Sequence, residues 1–289
     1  MKDSHAIAVG INDSVQSQAA VDWAAQRAKK AKLPLVLLHV VDDRWFAEPR
    51  SWQGVLWETG EKLLERTAVD TRENAAVEVT TSLLNGSVGG SLGKYSRKAS
   101  MLVVGSGSAH MGGALTDRAL QVAAAARCPV AVVGTQDLNK RSGIVVGVDG
   151  SEEALQAVAF AAAEADRQGE ELTVVHAYSD PERLSDAGLT TESMRQIKDE
   201  QERLVLAESV AGLSETYPDL KINKVIDPQH GPVRALLDAS SQASMLVVRN
   251  RGRGGFKRLL LGSTAHGVLA HLQCPTVVIP FGKRNRKEA

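Results

Sequence analysis

Ser100-Met101-Leu102-Val103-Val104 recurs letter for letter as Ser244-Met245-Leu246-Val247-Val248, 144 residues further along the chain. Downstream of this run, Cys128-Pro129-Val130-Ala131-Val132-Val133 is answered by Cys274-Pro275-Thr276-Val277-Val278-Ile279, 146 residues on. Upstream, Ile7-Ala8-Val9-Gly10-Ile11-Asn12-Asp13-Ser14 pairs with Ile144-Val145-Val146-Gly147-Val148-Asp149-Gly150-Ser151 at an offset of 137, and His39 pairs with His176 at the same offset. A fixed self-similarity of this kind decides the architecture before any local reading does. The offset grows along the chain, so insertions fall in the middle of the second copy. The copies span about 1–136 and 141–282, joined by a polar linker over 136–142. A basic tail, 283–289, carries Lys283, Arg284, Arg286 and Lys287 and reads as solvated.

Within each copy, short apolar runs alternate with longer segments of helical period. Residues 7–10 read as a strand; Ala20, Trp23, Ala24, Ala28 and Ala31 then recur at steps of three and four, one face of a helix. Strands are expected over 35–41, 77–84, 101–105 and 130–134, with helices around 55–71, 88–97 and 115–126. In the second copy, 144–148, 172–178, 220–226, 245–248 and 276–279 supply the matching strands. The strands are continuous apolar runs, as expected where helices cover both faces of a parallel sheet. Strand and helix in strict alternation predict an α/β chain of two tandem, doubly wound, five-stranded parallel-sheet domains, Rossmann-like in architecture.

Composition agrees. The chain has 289 residues, 43% of them apolar, enough for two domains and two cores. Thirty-four Lys and Arg balance thirty-four Asp and Glu, which removes the broad basic field of a general DNA binder. The longest apolar runs are strand-sized, so no membrane span is expected. The first residues hold no apolar signal core, and a cytoplasmic protein is expected. Cys128 and Cys274 form no CxxC pair and read as small buried hydrophobes at strand starts.

In an open parallel sheet the ligand crevice lies beyond the carboxyl ends of the strands, where strand order reverses. The loops after strands one and four of each copy are therefore the candidate site. In the second copy the first loop is Asp149-Gly150-Ser151, with a carboxylate for a sugar or base and a serine to cap the next helix. The other loop runs Arg249-Asn250-Arg251-Gly252-Arg253-Gly254-Gly255 and leads to Gly262-Ser263-Thr264. Glycines there admit phosphate oxygens to the backbone, and a helix start at Gly262 offers amides and a positive dipole end. Arg249, Arg251, Arg253, Lys257 and Arg258 add cations for a polyphosphate. No His pair has zinc spacing, and neither a GxSxG elbow nor a GxxxxGK[ST] loop occurs. His39 and His176 stand at matching strand ends, where a structural hydrogen bond is the simpler role. Trp45, Trp52 and Trp57 read as core packing or a lid.

Gly147-Val148-Asp149-Gly150-Ser151, the strand end His176-Ala177, and Gly252 followed after nine residues by Gly262-Ser263 resemble the universal stress protein family, as a tandem pair over nearly the whole chain. The resemblance implies an adenine-nucleotide alpha hydrolase-like fold with strand order 3-2-1-4-5, and in many members ATP at this crevice. It implies that Asp149 and the Ala177 backbone hold the nucleoside, while Gly252, Gly262, Ser263 and Thr264 hold ribose and phosphates, flanked by Gly150, Ser151 and Arg251. The ligand would be ATP, with or without Mg2+, or else ADP or AMP. It also implies association through the last strands, 130–134 and 276–279, within the chain and between two chains as a homodimer, and a protein partner that the sequence does not name.

Two departures from the family pattern matter. Arg249 replaces the first motif glycine, and two alternatives stand open: it blocks the site, or it swings out and pairs with phosphate. In the first copy the pattern opens with Gly105, but Ser108 replaces the second glycine, Arg118-Ala119 stands nine residues on where Gly-Ser is expected, and Asn12 replaces the aspartate. Asp117 beside that helix start would repel phosphate. The first copy is thus expected to bind nucleotide weakly or not at all, with Asn12, Val40, Gly105 and Ser108 as a vestigial pocket, and the second to be the main site. The leading expectation is a non-enzymatic, nucleotide-responsive stress protein. A slow ATPase or phosphotransfer protein using Ser263 or Thr264, and a ligand-free scaffold, are the alternatives.

Overall fold

The computed structural model describes residues 6–42, 50–107, 114–178, 192–250 and 261–280, with the side chains of 50–53, 114–117 and 192–195 excluded. The chain divides into two compact units, 1–135 and 136–289.

The first unit runs β1 (Ile7–Gly10), α1 (Val15–Ala31), β2 (Leu35–Val41), α2 (Arg50–Ala75), β3 (Val79–Asn85), α3 (Val88–Tyr95), β4 (Met101–Gly105), α4 (Ala114–Ala125) and β5 (Val130–Val133). β1 pairs in parallel with β2 and with β4, β2 with β3, and β4 with β5. The order is therefore β3-β2-β1-β4-β5, and the chain reverses direction across the sheet between β1 and β4. The second unit repeats this with β6 (Ile144–Val148), α5 (Ala154–Gln168), β7 (Leu172–Ala177), α6 (Glu192–Ser209), α7 (Leu213–Thr216), β8 (Ile222–Asp227), α8 (Pro232–Ser240), β9 (Met245–Arg249), α9 (Ser263–Ala270) and β10 (Thr276–Ile279). Its parallel pairs give β8-β7-β6-β9-β10. This is the doubly wound order that the resemblance implied.

Burial explains why the inner strands are legible as apolar runs. Leu35, Leu37, Leu38 and Leu102 are fully buried, and each contributes about 1.5–3 kcal/mol relative to exposure. The outermost strands differ. β3 exposes Thr80 and Thr81, and β8 exposes Lys224 and Val225, because one side of an edge strand faces solvent. Both strands lie a residue or two later than the apolar pattern suggests, since the edge residues carry less of that pattern.

α1 buries Ala20, Val21, Ala24, Ala25 and Ala28 against the sheet, and Ser14 caps it by accepting from the Ser17 amide. α5 buries the equivalent row, Ala157, Val158, Ala161, Ala162 and Ala165, and ends on Gly169 in the left-handed conformation. Small residues let both helices lie close on the sheet.

Cys128 and Cys274 are buried, and burial pushes each thiol up to about 12. Thiolate is the reactive form. Neither cysteine is therefore expected to react with a disulfide reagent at pH 8 in the folded protein, and both should react once guanidinium unfolds it; rapid labelling of the native chain would contradict this burial.

Candidate functional site

Each crevice starts from the residue that follows the first strand. In the first unit the Ser14 hydroxyl donates to Asn12 Oδ1 at 2.6 Å, the Ser17 amide donates to Ser14 Oγ at 3.2 Å, and the Asn12 amide donates to Ser17 Oγ at 3.0 Å. In the second unit the Ser151 hydroxyl donates to Asp149 Oδ1 at 2.6 Å, and the Ala154 amide donates to Ser151 Oγ at 3.2 Å. Gly150 has φ +72°, a left-handed turn that favours glycine. Asp149 is thus held by the helix cap of its own loop.

The paired histidines are structural. His39 Nδ1 donates to the Ile11 carbonyl at 2.9 Å, and His176 Nδ1 donates to the Val148 carbonyl at 2.9 Å. Each ring ties the end of the second strand of its unit to the end of the first. His176 goes further: its Nε2 lies 2.6 Å from Glu202 Oε2 on α6, and Lys198 pairs with the same carboxylate. Beside it the Tyr178 hydroxyl donates to Asp199. Burial raises the Glu202 carboxyl, but the hydrogen bonds and charges of Lys198 and His176 outweigh it and leave the group below its ordinary value. In the first unit a glycine faces the ring instead, since a Cβ at Gly60 would lie 2.8 Å from His39 Cδ2.

The two units part company at the end of their fourth strands. A Cβ at Gly105 would stand 2.6 Å from the carbonyl carbon and oxygen of Gln16 and 2.9 Å from the Ser17 amide nitrogen. Only bare backbone lets β4 approach the start of α1 this closely. The equivalent of Gly105 is Arg249, and the equivalent of Gln16 is Glu153. There the helix begins at Ala154, two residues later in register than α1. The amides of Ala154, Leu155 and Gln156 reach back three residues, to Ser151, Glu152 and Glu153, whereas the Gln18 amide bonds four residues back to Ser14. A side chain at the strand end thus goes with a loosened first helical turn.

Arg249 turns inward. Its side chain is 8% exposed, and Nη1 lies 3.7 Å from Glu153 Oε2. Burial pulls the guanidinium below its ordinary pKa, against the Glu153 and Asp149 carboxylates, which hold it up.

The cavities follow from this difference. In the first unit a cavity of about 230 Å³ is lined by Asn12, His39, Val40, Gly105, Arg118 and Val122. In the second a cavity of about 90 Å³ is lined by Asp149, Ala177, Leu236, Arg249 and Thr264. The structure therefore brings together Asn12, Val40 and Gly105 on one side, and Asp149, Ala177, Arg249 and Thr264 on the other. Gly262 caps α9, and no side chain caps that helix start. Arg251, Gly252 and Ser108 lie outside the described residues.

Helix packing also resets one sequence equivalence. A Cβ on Gly267 of α9 would meet Val233 of α8 at 2.6 Å, and a Cβ on Gly89 of α3 would meet Gln121 of α4 at 3.1 Å. The same helix crossing thus uses a glycine on opposite partners, and it aligns Gln121 with Gly267. The buried pairs Ala119 with Ala265 and Val122 with Val268 keep that register. Thr116-Asp117, not Arg118-Ala119, then stands opposite Gly262-Ser263, and Arg118 stands opposite Thr264 at the cavity rim. Motif spacing missed this because the loop before α4 is shorter. Also missed were Arg118 as a rim cation and Glu153, which the 137-residue offset from Gln16 does reveal.

Among the described residues no helix is long and apolar enough to cross a membrane, and no cluster of His, Cys, Asp and Glu is suited to a metal ion. The sequence profile of the Universal stress protein family matches residues 4–134 and again 141–280. The chain belongs to the universal stress protein family. A universal stress protein of Mycobacterium tuberculosis is 32% identical, over 96% of this chain and 97% of the relative, and a second from that organism is 31% identical over 94% and 95%. Among solved structures, a universal stress protein from Archaeoglobus fulgidus superposes with a TM-score of 0.72 at 18% identity, covering 97% of this chain and 98% of that one. The relatives are matched over nearly their whole length, so the tandem arrangement of this universal stress protein is shared with them.

Proposed function

We propose that this universal stress protein is a nucleotide-responsive regulator that takes one adenine nucleotide per chain, in the crevice of the first unit. The observation that carries the reading is the cavity of about 230 Å³ beyond β1, β2 and β4. It opens at the switch point of a doubly wound sheet, where such folds take their ligands. The site offers the Val40 strand end to a base, the bare backbone at Gly105 to a ribose, and Arg118 to phosphate. ATP is the ligand of choice, with Mg2+ carried on its phosphates, and ADP or AMP would use the same nucleoside contacts. This reverses the weighting that motif residues suggested, because motif counting does not register the volume that Arg249 fills. The reading is of binding without turnover, and release of phosphate from MgATP by the purified chain would overturn it.

All four tryptophans, Trp23, Trp45, Trp52 and Trp57, lie in the first unit, so tryptophan fluorescence reports that unit alone. Titration with MgATP is expected to give one event per chain and to raise the fluorescence-detected melting point, by about 2.7 kcal/mol of stabilisation at 100 times the dissociation constant. Arg118→Ala is expected to weaken binding on the order of tenfold, as loss of a charge-assisted hydrogen bond does, and Asp149→Ala to leave it unchanged. An absence of heat and of any melting shift would overturn the reading, as would binding lost in Asp149→Ala alone.

A further inference from the structure

We infer that Arg249 is an intramolecular occupant of the second crevice, latched by Glu153, and that this one residue sets the chain's nucleotide stoichiometry. The inference rests on the nucleotide reading above and adds the device that makes the two units unequal.

The second unit retains the other parts of a nucleotide site: Asp149 after its first strand, Ala177 at the end of the second, and the uncapped start of α9 at Gly262. What it lacks is room. The Arg249 side chain is 8% exposed in a cavity of about 90 Å³. In the first unit, with glycine at that place, the cavity is about 230 Å³. Two carboxylates face the guanidinium where it sits and offset part of the cost of its burial. Glu153 Oε2 is 3.7 Å away, and Asp149 contributes a second carboxylate field. In the first unit both carboxylates are replaced by amides, Gln16 and Asn12, beside Gly105. The substitutions thus come as a set: cation with two acids, or glycine with two neutral amides. The side chain is buried and held against Glu153, the residue that precedes α5. The loosened first turn of α5 is the accommodation that the side chain requires, because the tight approach at Gly105 leaves no space for any Cβ.

The experiment is a calorimetric MgATP titration of the full chain, with melting followed both by tryptophan fluorescence and by far-ultraviolet circular dichroism. Wild type is expected to bind one nucleotide, and Arg249→Gly to bind two. Asp149→Ala in the Arg249→Gly background should remove the added event. Arg249→Ala is expected to behave as Arg249→Gly does, which guards against a folding defect peculiar to glycine. A stoichiometry still at one in both variants, with native circular dichroism, would overturn the latch and leave the first-unit reading standing. Wild type binding none while Arg249→Gly binds one would uphold the latch and overturn the first-unit reading. Binding by wild type that is lost in Arg249→Gly would make Arg249 a phosphate ligand and overturn both.

Discussion

Gly105→Ala is expected to destabilise the first unit by about 2 kcal/mol and to abolish nucleotide binding there, although it adds a single methyl group. Overpacking in a close-packed region costs about 1–3 kcal/mol, and the neighbours here cannot yield by rotating a side chain. The new Cβ would meet the backbone carbonyl of Gln16 at 2.6 Å and the Ser17 amide nitrogen at 2.9 Å. Those atoms belong to the first turn of α1, which the Ser14 cap and the bond between the Asn12 amide and Ser17 Oγ hold in place. To admit the methyl, that turn must open toward the form seen at α5, where amides bond three residues back. Opening it moves Asn12 and the Gly105 backbone, which line the crevice. The readout is the tryptophan-detected melting point, lower by on the order of 5–10 °C, together with loss of the calorimetric signal. An unchanged melting point would mean that β4 and α1 are not packed as tightly as the geometry requires.

How far the sequence carries can be read from individual residues. The doubly wound fold was legible because the repeat doubles every signal: the run at 101–104 and its copy at 245–248 are both fully interior strands. β3 and β8 were placed less well because an edge strand needs apolar residues on one side only. The histidine roles were legible too, since a repeated residue at a strand end calls for a repeated backbone partner. The site was harder. Counting nine residues from Ser108 set Arg118-Ala119 against Gly262-Ser263, whereas helix burial sets Thr116-Asp117 there; spacing carries over only when the intervening loops have equal length. Arg249 was visible as a departure, but two outcomes were open until the position of Glu153 on the neighbouring helix start was known. Glu202 gave no signal at all, because α6 lies where the two copies differ in length and Gly60 occupies the corresponding space in the first.

That last residue leads to the other large effect. His176→Ala is expected to cost the second unit about 3 kcal/mol, because a hydrogen bond to a charged group is worth about 1.5–3 kcal/mol and the buried partners left behind add their own desolvation. The Val148 carbonyl and one oxygen of Glu202 would both lose a donor in a site where His176 is 4% exposed. Glu202→Gln should be much milder at pH 7, within about 1 kcal/mol, since the amide keeps the shape of the side chain and can still hydrogen-bond Nε2 while Nδ1 continues to donate to the Val148 carbonyl. The two variants then separate in acid. The Glu202 carboxyl sits below its ordinary value of 4.5 in the folded chain, so its contribution is complete above that pH and is lost as pH falls through the lowered folded value. The part of the stability gap between wild type and Glu202→Gln that the carboxylate supplies should therefore begin to close as pH falls below 4.5. Both effects should appear in the melting followed by circular dichroism. A gap that widened in acid would mean that the carboxylate is less stable folded than unfolded, and that Lys198 and His176 do not compensate for its burial.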